Sequence, residues 1–243
     1  MRILVTGSAD GLGRAAADTL LSGLSGGHDV VVHARNPDRA ASLSALVDRG
    51  ADIVVGDFAD RDAVRRIAAE LNGRDPLDAV IHNAGVWRGR AVMPVNIIAP
   101  YLLTALLEGP RRHVYLSSGS HFGGQPSLAG VDWQGETPGS YADSKLFVTT
   151  LAAALARLRP ELLSNAVDPG WVPTKMGGPG APDDLELGHQ TQEWLAASDQ
   201  PQALTSGGYW YHRQRQQPHR AVNDHTFQDQ LLRTLADETG VRL

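Results

Sequence analysis

The chain has 243 residues, of which 42% are hydrophobic and 20% charged, with a formal net charge of −5. That length and apolar content suffice for one large domain with a sizeable core, and the acidic balance without any basic run argues against nucleic acid or an anionic membrane surface as partner. There is no cysteine, which excludes disulfides, thiolate nucleophiles and cysteine-ligated metal.

In chain order, short β-branched runs alternate with segments of helical period. The apolar run after Met1 is too short for a signal peptide, and no stretch reaches the roughly 20 apolar residues of a membrane span; a cytoplasmic protein is expected. Ile3–Thr6, Val30–His33, Ile53–Val55, Ala79–His82, His113–Ser117 and Ser164–Asp168 read as strands buried on both faces. Helices are expected near Gly11–Ser22, Asp38–Arg49, Asp60–Leu71, Pro94–Leu107 and Tyr141–Arg157. Past residue 170 the rhythm breaks into a Gly/Pro-rich loop (Val172–Pro182), a helix (Asp184–Ala197), a short strand (Gly208–Tyr211) and a terminal helix (Asp224–Glu238). The pattern predicts a single doubly wound (Rossmann) α/β domain over residues 1–243, with a parallel sheet of about seven strands. Residues from about 170 onward would form an integral substrate-binding region, with a closing loop near Val172–Trp194.

Thr6-Gly7-Ser8-Ala9-Asp10-Gly11-Leu12-Gly13 follows the first strand and opens the first helix. Glycines there permit positive φ and close backbone approach, and the helix N-terminus offers free N–H groups to a diphosphate. Asp10 is an odd neighbour for phosphate and is expected to cap the helix or point away. Where the second strand ends, the place of a ribose-binding acid holds Ala34, followed by Arg35. A guanidinium suits a 2′-phosphate, which favours NADP(H) over NAD(H). Asp57 is expected to accept from the adenine amino group with Phe58 beside the ring, while Asp60 caps the following helix.

Tyr141 and Lys145, four residues apart, share one helix face. An ammonium beside a phenol lowers its pKa from about 10, so that the tyrosine can exchange a proton with an alkoxide as hydride is transferred. Pro100 stands four residues after Asn96 and lacks the N–H that would bond the Asn96 carbonyl, leaving that carbonyl able to hold a water. Nine histidines occur, none in a zinc-binding spacing, so no metal site is expected. His121, close after Ser118, reads either as lining the substrate site or as a loop histidine without a role. Trp133, Trp171 and Trp194 read either as walls of the substrate cleft or as core.

Thr6-Gly7…Gly11-Leu12-Gly13, Asp57, Asn83-Ala84-Gly85, Asn96, Ser117-Ser118, Tyr141…Lys145 and Pro169-Gly170…Thr174, in this order and spacing, resemble the short-chain dehydrogenase/reductases along essentially the whole chain. The Ser118-to-Tyr141 segment and Ser206-Gly207-Gly208-Tyr209-Trp210 are similar to the retinol-dehydrogenase-like branch. The stretch from Trp171 to Met176 is similar to bacterial proteins of the daunorubicin C-13 ketoreductase type. The resemblance implies an oxidoreductase that interconverts a ketone or aldehyde and an alcohol, with a polycyclic or polyketide-type ketone as one substrate type. Tyr141 would be the acid/base, Lys145 would lower its pKa and bind the nicotinamide ribose, Ser118 would hold the substrate oxygen, and Asn96 would complete a proton relay. Asn83, Ala84 and Gly85 would pass along the cofactor, and Pro169, Gly170, Val172 and Thr174 would grip its carboxamide. It also implies a homodimer or homotetramer through the helices at Pro94–Leu107 and Tyr141–Arg157, in a branch that includes monomers. The alternative function is a catalytically silent NADP(H)-binding sensor of the same fold.

Overall fold

The buried apolar runs assemble as one mostly parallel sheet in the computed structural model, which describes residues 1–23 and 27–243. Its strands are β1 (Arg2–Val5), β2 (Asp29–Ala34), β3 (Asp52–Val55), β4 (Ala79–His82), β5 (Arg112–Leu116), β6 (Leu163–Asp168), β7 (Tyr209–Tyr211) and β8 (Gln214–Gln216), in the order β3-β2-β1-β4-β5-β6-β7-β8. All neighbours are parallel except β7 and β8. The helices are α1 (Gly11–Leu21), α2 (Pro37–Ala41), α3 (Ser44–Val47), α4 (Arg61–Asn72), α5 (Ala99–Leu106), α6 (Tyr141–Leu158), α7 (Leu185–Ala197) and α8 (His225–Thr239). Side chains alternate across the strands, so Ile3 and Val5 face the layer holding Ala16, Leu20 and Trp194, while Leu4 faces the layer holding Val64, Leu102 and Phe147. The order in which strands are added reverses between β1 and β4, which opens a crevice at their carboxyl ends.

The sheet has eight strands rather than about seven. β8 is wholly exposed and polar (Gln-Arg-Gln), and joins β7 through His212 and Arg213, both at positive φ (47° and 60°). A two-residue turn of this kind is usually signalled by Asn-Gly or Asp-Gly, and neither is present. The expected helix over Asp38–Arg49 is split into α2 and α3, because the Ser42 hydroxyl bonds the Arg39 carbonyl (2.7 Å) and reaches across to the Ala9 carbonyl (3.3 Å). Pro94–Ile98 forms a π-helical turn before α5, with the Ala99 N–H on the Pro94 carbonyl. The widened register accommodates Pro100, which has no N–H to give Asn96.

α6 is buried along most of its length and is covered by α8 of the same chain. Phe227 packs against Phe147, and the Tyr101 hydroxyl bonds the Val241 carbonyl at 2.7 Å. The helix faces that the resemblance assigns to subunit contacts are thus partly occupied from within. Among the described residues no helix is long and apolar enough to cross a membrane.

Candidate active site

A cleft of about 540 Å³ runs along the carboxyl ends of β1 to β6, within the size range of small-ligand sites. Gly7, Asp10, Gly11, Leu12, Arg35, Asp57, Phe58, Asn83, Ala84, Gly85, Tyr141, Lys145, Pro169 and Thr174 all line it. A larger hollow of about 710 Å³ lies at the opposite end of the sheet, beside Arg2, Asp52 and Arg74, and collects none of the predicted residues.

The glycine turn is shaped by what it touches. Gly7 sits at φ +67°, and a Cβ there would lie 2.9 Å from Ala84 Cα; at Gly13 a Cβ would lie 2.3 Å from Asn83 Nδ2. Thr6 stitches the two segments together, its Oγ1 accepting from the backbone N–H groups of Asn83 and Ala84 at 2.9 Å each. Asp10 caps α1 by accepting from Gly11 N, as expected, and also pairs with Arg39 (3.4 Å) and Lys175. Those contacts, led by Lys175, hold its carboxyl below the usual range. Ser8 and Gly13 do not line the cleft. Ser8 is fully buried, bonding the Val5 carbonyl and accepting from His33 N, because its side chain points into the sheet. Gly13 stands behind the turn against Asn83. Arg39, Lys175 and Met176 line the cleft although the sequence did not single them out; they arrive from α2 and the Pro/Gly loop.

His33 was also missed. Its ring is buried under the turn, with Nδ1 accepting from Gly7 N (3.0 Å) and Nε2 donating to the Gly56 carbonyl (2.8 Å). Burial lowers its pKa to about 4, so it is neutral at physiological pH. Phe58 stacks on His33 at 3.9 Å between ring centroids, so one face of the ring expected beside adenine is already covered. Asp57 is exposed and accepts from Ala59 N at 2.9 Å.

At the other end of the cleft, the start of α6 sets Tyr141 and Lys145 beside the end of β5. Ser140 caps the helix through Asp143 N. The two serines part: Ser117 lines the cleft but is buried with its hydroxyl 2.5 Å from Thr149 Oγ1, whereas Ser118 does not line the cleft and stands by the Tyr141 phenol. His121 is not an idle loop residue. It is fully buried, bonding the Ser118 carbonyl through Nδ1 (2.8 Å) and accepting from His219 N through Nε2 (3.0 Å). Asn96 does not line the cleft but lies behind it. Its side chain accepts from Val86 N (2.8 Å) and donates to the Val86 carbonyl and Ser144 Oγ (3.0 Å each), and Ser144 in turn bonds the Tyr141 carbonyl (2.7 Å).

The electrostatics depart from expectation. The Lys145 ammonium donates to the Leu116 carbonyl (2.7 Å) and lies 5.5 Å from the Tyr141 ring centroid. Burial lowers the Lys145 pKa to about 8. Tyr141 is raised above 10, by burial first, while the Ser118 hydroxyl acts in the opposite direction. Burial therefore outweighs any depression of the phenol by Lys145 in this arrangement.

Gly170 and Val172 do not line the cleft. Gly170 N bonds Asp168 Oδ1 (3.0 Å), and Val172 is buried against Gly188 of α7. Trp133 and Trp194 are core residues, packed on Phe147 and Trp210 respectively. The segment expected to close over the site thus ends in a packed helix. The tryptophan beside the phenol is Trp87, 54% exposed and 4.9 Å from the Tyr141 ring.

This is the fold of an oxidoreductase class, and the chain belongs to the short-chain dehydrogenase/reductase family. The family model described as short chain dehydrogenase matches residues 1–106. A short-chain dehydrogenase of Gibberella zeae is 34% identical, the alignment covering 100% of this chain and 98% of that one. A Streptomyces protein named provisionally as a daunorubicin C-13 ketoreductase is 31% identical over 87% of this chain and 83% of its own. Among solved structures, NADPH-bound carbonyl reductase from chicken fatty liver shares the fold, with a TM-score of 0.66, 23% identity, and 87% and 96% of the two chains covered.

Proposed function

We propose that the chain is an NADP(H)-dependent reductase of ketones or aldehydes that uses Ser118, Tyr141, Lys145 and Asn96. The observation that carries this reading is the convergence, in one cleft, of a glycine turn too close for side chains, two arginines at the end of β2 and the start of α2, and the Tyr141–Lys145 pair. The close approach at Gly7 and the basic pair suit a dinucleotide diphosphate and a 2′-phosphate. Gly7, Gly11 and Leu12 would hold the diphosphate, Arg35 with Arg39 the 2′-phosphate, Asp57 the adenine, and Asn83 to Gly85, Pro169 and Thr174 the remainder. NADPH when bound supplies the hydride.

The residues of the chain supply position and protons. Ser118 donates to the substrate carbonyl oxygen, its loop braced by His121. Tyr141, a phenol that is protonated at neutral pH and pushed further that way by burial, gives its proton to the alkoxide oxygen, which suits the reducing direction. Lys145 carries charge beneath that proton path, and Asn96 ties α6 to the Val86 loop so that both stay in place. Through the Streptomyces relative, a polycyclic ketone becomes one substrate to try. Steady-state oxidation of NADPH and NADH over ketones and aldehydes, polycyclic ones included, tests the reading. Turnover with a preference for NADPH is expected, and failure of NADPH to quench tryptophan fluorescence overturns it.

A further inference from the structure

One charged group near the phenol has no part in this chemistry. Asp168 ends β6, half-buried, and among the described residues it forms no ion pair. Its carboxylate is held by two neutral donors, Gly170 N on Oδ1 (3.0 Å) and the Tyr209 hydroxyl on Oδ2 (3.0 Å). Oδ2 also lies 3.2 Å from where a Cβ on Gly119 would stand, next in chain to Ser118. A carboxylate has about four lone-pair positions, so two donors leave acceptor capacity.

The flanks are aromatic. Phe122 is 54% exposed and packs edge-on to Tyr209, and Trp87 packs against the Tyr141 ring. A carboxylate beside an acid that must give up its proton opposes that step, and Asp168 does act to raise Tyr141 even though its charge is also felt by the Lys145 ammonium. A donor placed against Asp168 would relieve this opposition at the moment the substrate arrives.

Building on the reductase reading, we propose that Asp168, braced by Tyr209, is a specificity-determining residue that accepts a hydrogen bond from an O–H or N⁺–H group next to the substrate's reacting carbonyl. Preferred substrates are then aryl ketones bearing an adjacent hydroxyl or amine, and keto acids are rejected by charge. Charge-assisted hydrogen bonds of this kind discriminate by about 10- to 100-fold.

The test compares kcat/KM with NADPH for hydroxymethyl phenyl ketone, its methyl ether, the aminomethyl analogue and phenylglyoxylate. The wild-type protein is expected to favour the hydroxyl and amino ketones over the ether by at least about tenfold, and the ratio of amine to hydroxyl tells which donor fits. In Asp168→Ala these three should converge and the keto acid should gain relative to them. Asp168→Asn, nearly isosteric, should lose the amine preference first, and Tyr209→Phe should weaken all the ratios by loosening the brace. A merely structural Asp168 would lower every substrate alike, so unchanged ratios in these variants overturn the proposal. Wild-type protein that binds NADPH and reduces no member overturns the reductase reading along with it.

Discussion

His33 makes acid stability a direct readout of how the cofactor turn is built. Its pKa is lowered from 6.5 to about 4 by burial, so between those values the unfolded chain binds the proton that the folded chain refuses. Stability therefore rises with pH through this window and is lost as pH falls below 6.5. At pH 5 the unfolded form is favoured by about 2 kcal/mol for this one group, taking 1.36 kcal/mol per pKa unit. The ring is almost wholly buried, so little solvent screening reduces that figure. His82 and His113, also buried with depressed pKa values, act in the same direction, and the wild-type loss should exceed the share of His33. The experiment is chemical unfolding at pH 7.5 and pH 5 for wild type and His33→Gln, which cannot titrate. The variant will start less stable, since the Gly7 and Gly56 bonds are rebuilt imperfectly, but it should lose about 2 kcal/mol less on acidification. Equal acid losses in the two proteins would refute the reasoning, because they would mean that His33 does not carry a suppressed proton.

Three other outcomes follow from the geometry. Gly13→Ala should destabilise the fold by about 1–3 kcal/mol, read as a lower thermal midpoint, because its Cβ would meet Asn83 Nδ2 at 2.3 Å and the Gly7 carbonyl at 2.6 Å. Arg35→Ala and Arg39→Ala should each weaken NADPH binding by roughly 10- to 100-fold, the equivalent of one charged hydrogen bond, while NADH titrations stay unchanged. Trp133→Ala should cost about 3–5 kcal/mol of stability yet leave the ranking of ketones by kcat/KM intact, since this side chain packs on Phe147.

Much of the architecture was legible because both-face burial forces apolar runs at six strands, and because Asp10, Asp60, Asp184 and Asp224 cap the helices that follow them. What escaped has no local signal. β8 is three exposed polar residues held by pairing and by the Arg215 side chain on the Gly207 carbonyl, and its turn uses His212 and Arg213 where glycine or asparagine would announce it. Arg39 and Lys175 reach the cleft only when α2 and the loop after β6 converge on Asp10. Spacing put Tyr141 and Lys145 on one face, but the sign of the shift on the phenol depends on how deeply α6 is buried, a tertiary quantity. Pro100 marked the missing hydrogen bond to the Asn96 carbonyl, because the lack of an N–H is a property of the residue itself, but the π-helical turn that accommodates it was not expected.

The central claim is that Tyr141 gives its proton to a carbonyl oxygen in a chain that holds NADPH. Its most direct test is paired: NADPH binding by fluorescence and ketone reduction by absorbance, for wild type and Tyr141→Phe. Both proteins are expected to bind NADPH alike, with turnover falling by about 10²- to 10⁴-fold in the variant, the contribution of a positioned acid. Turnover that survives the loss of the phenol hydroxyl would contradict it.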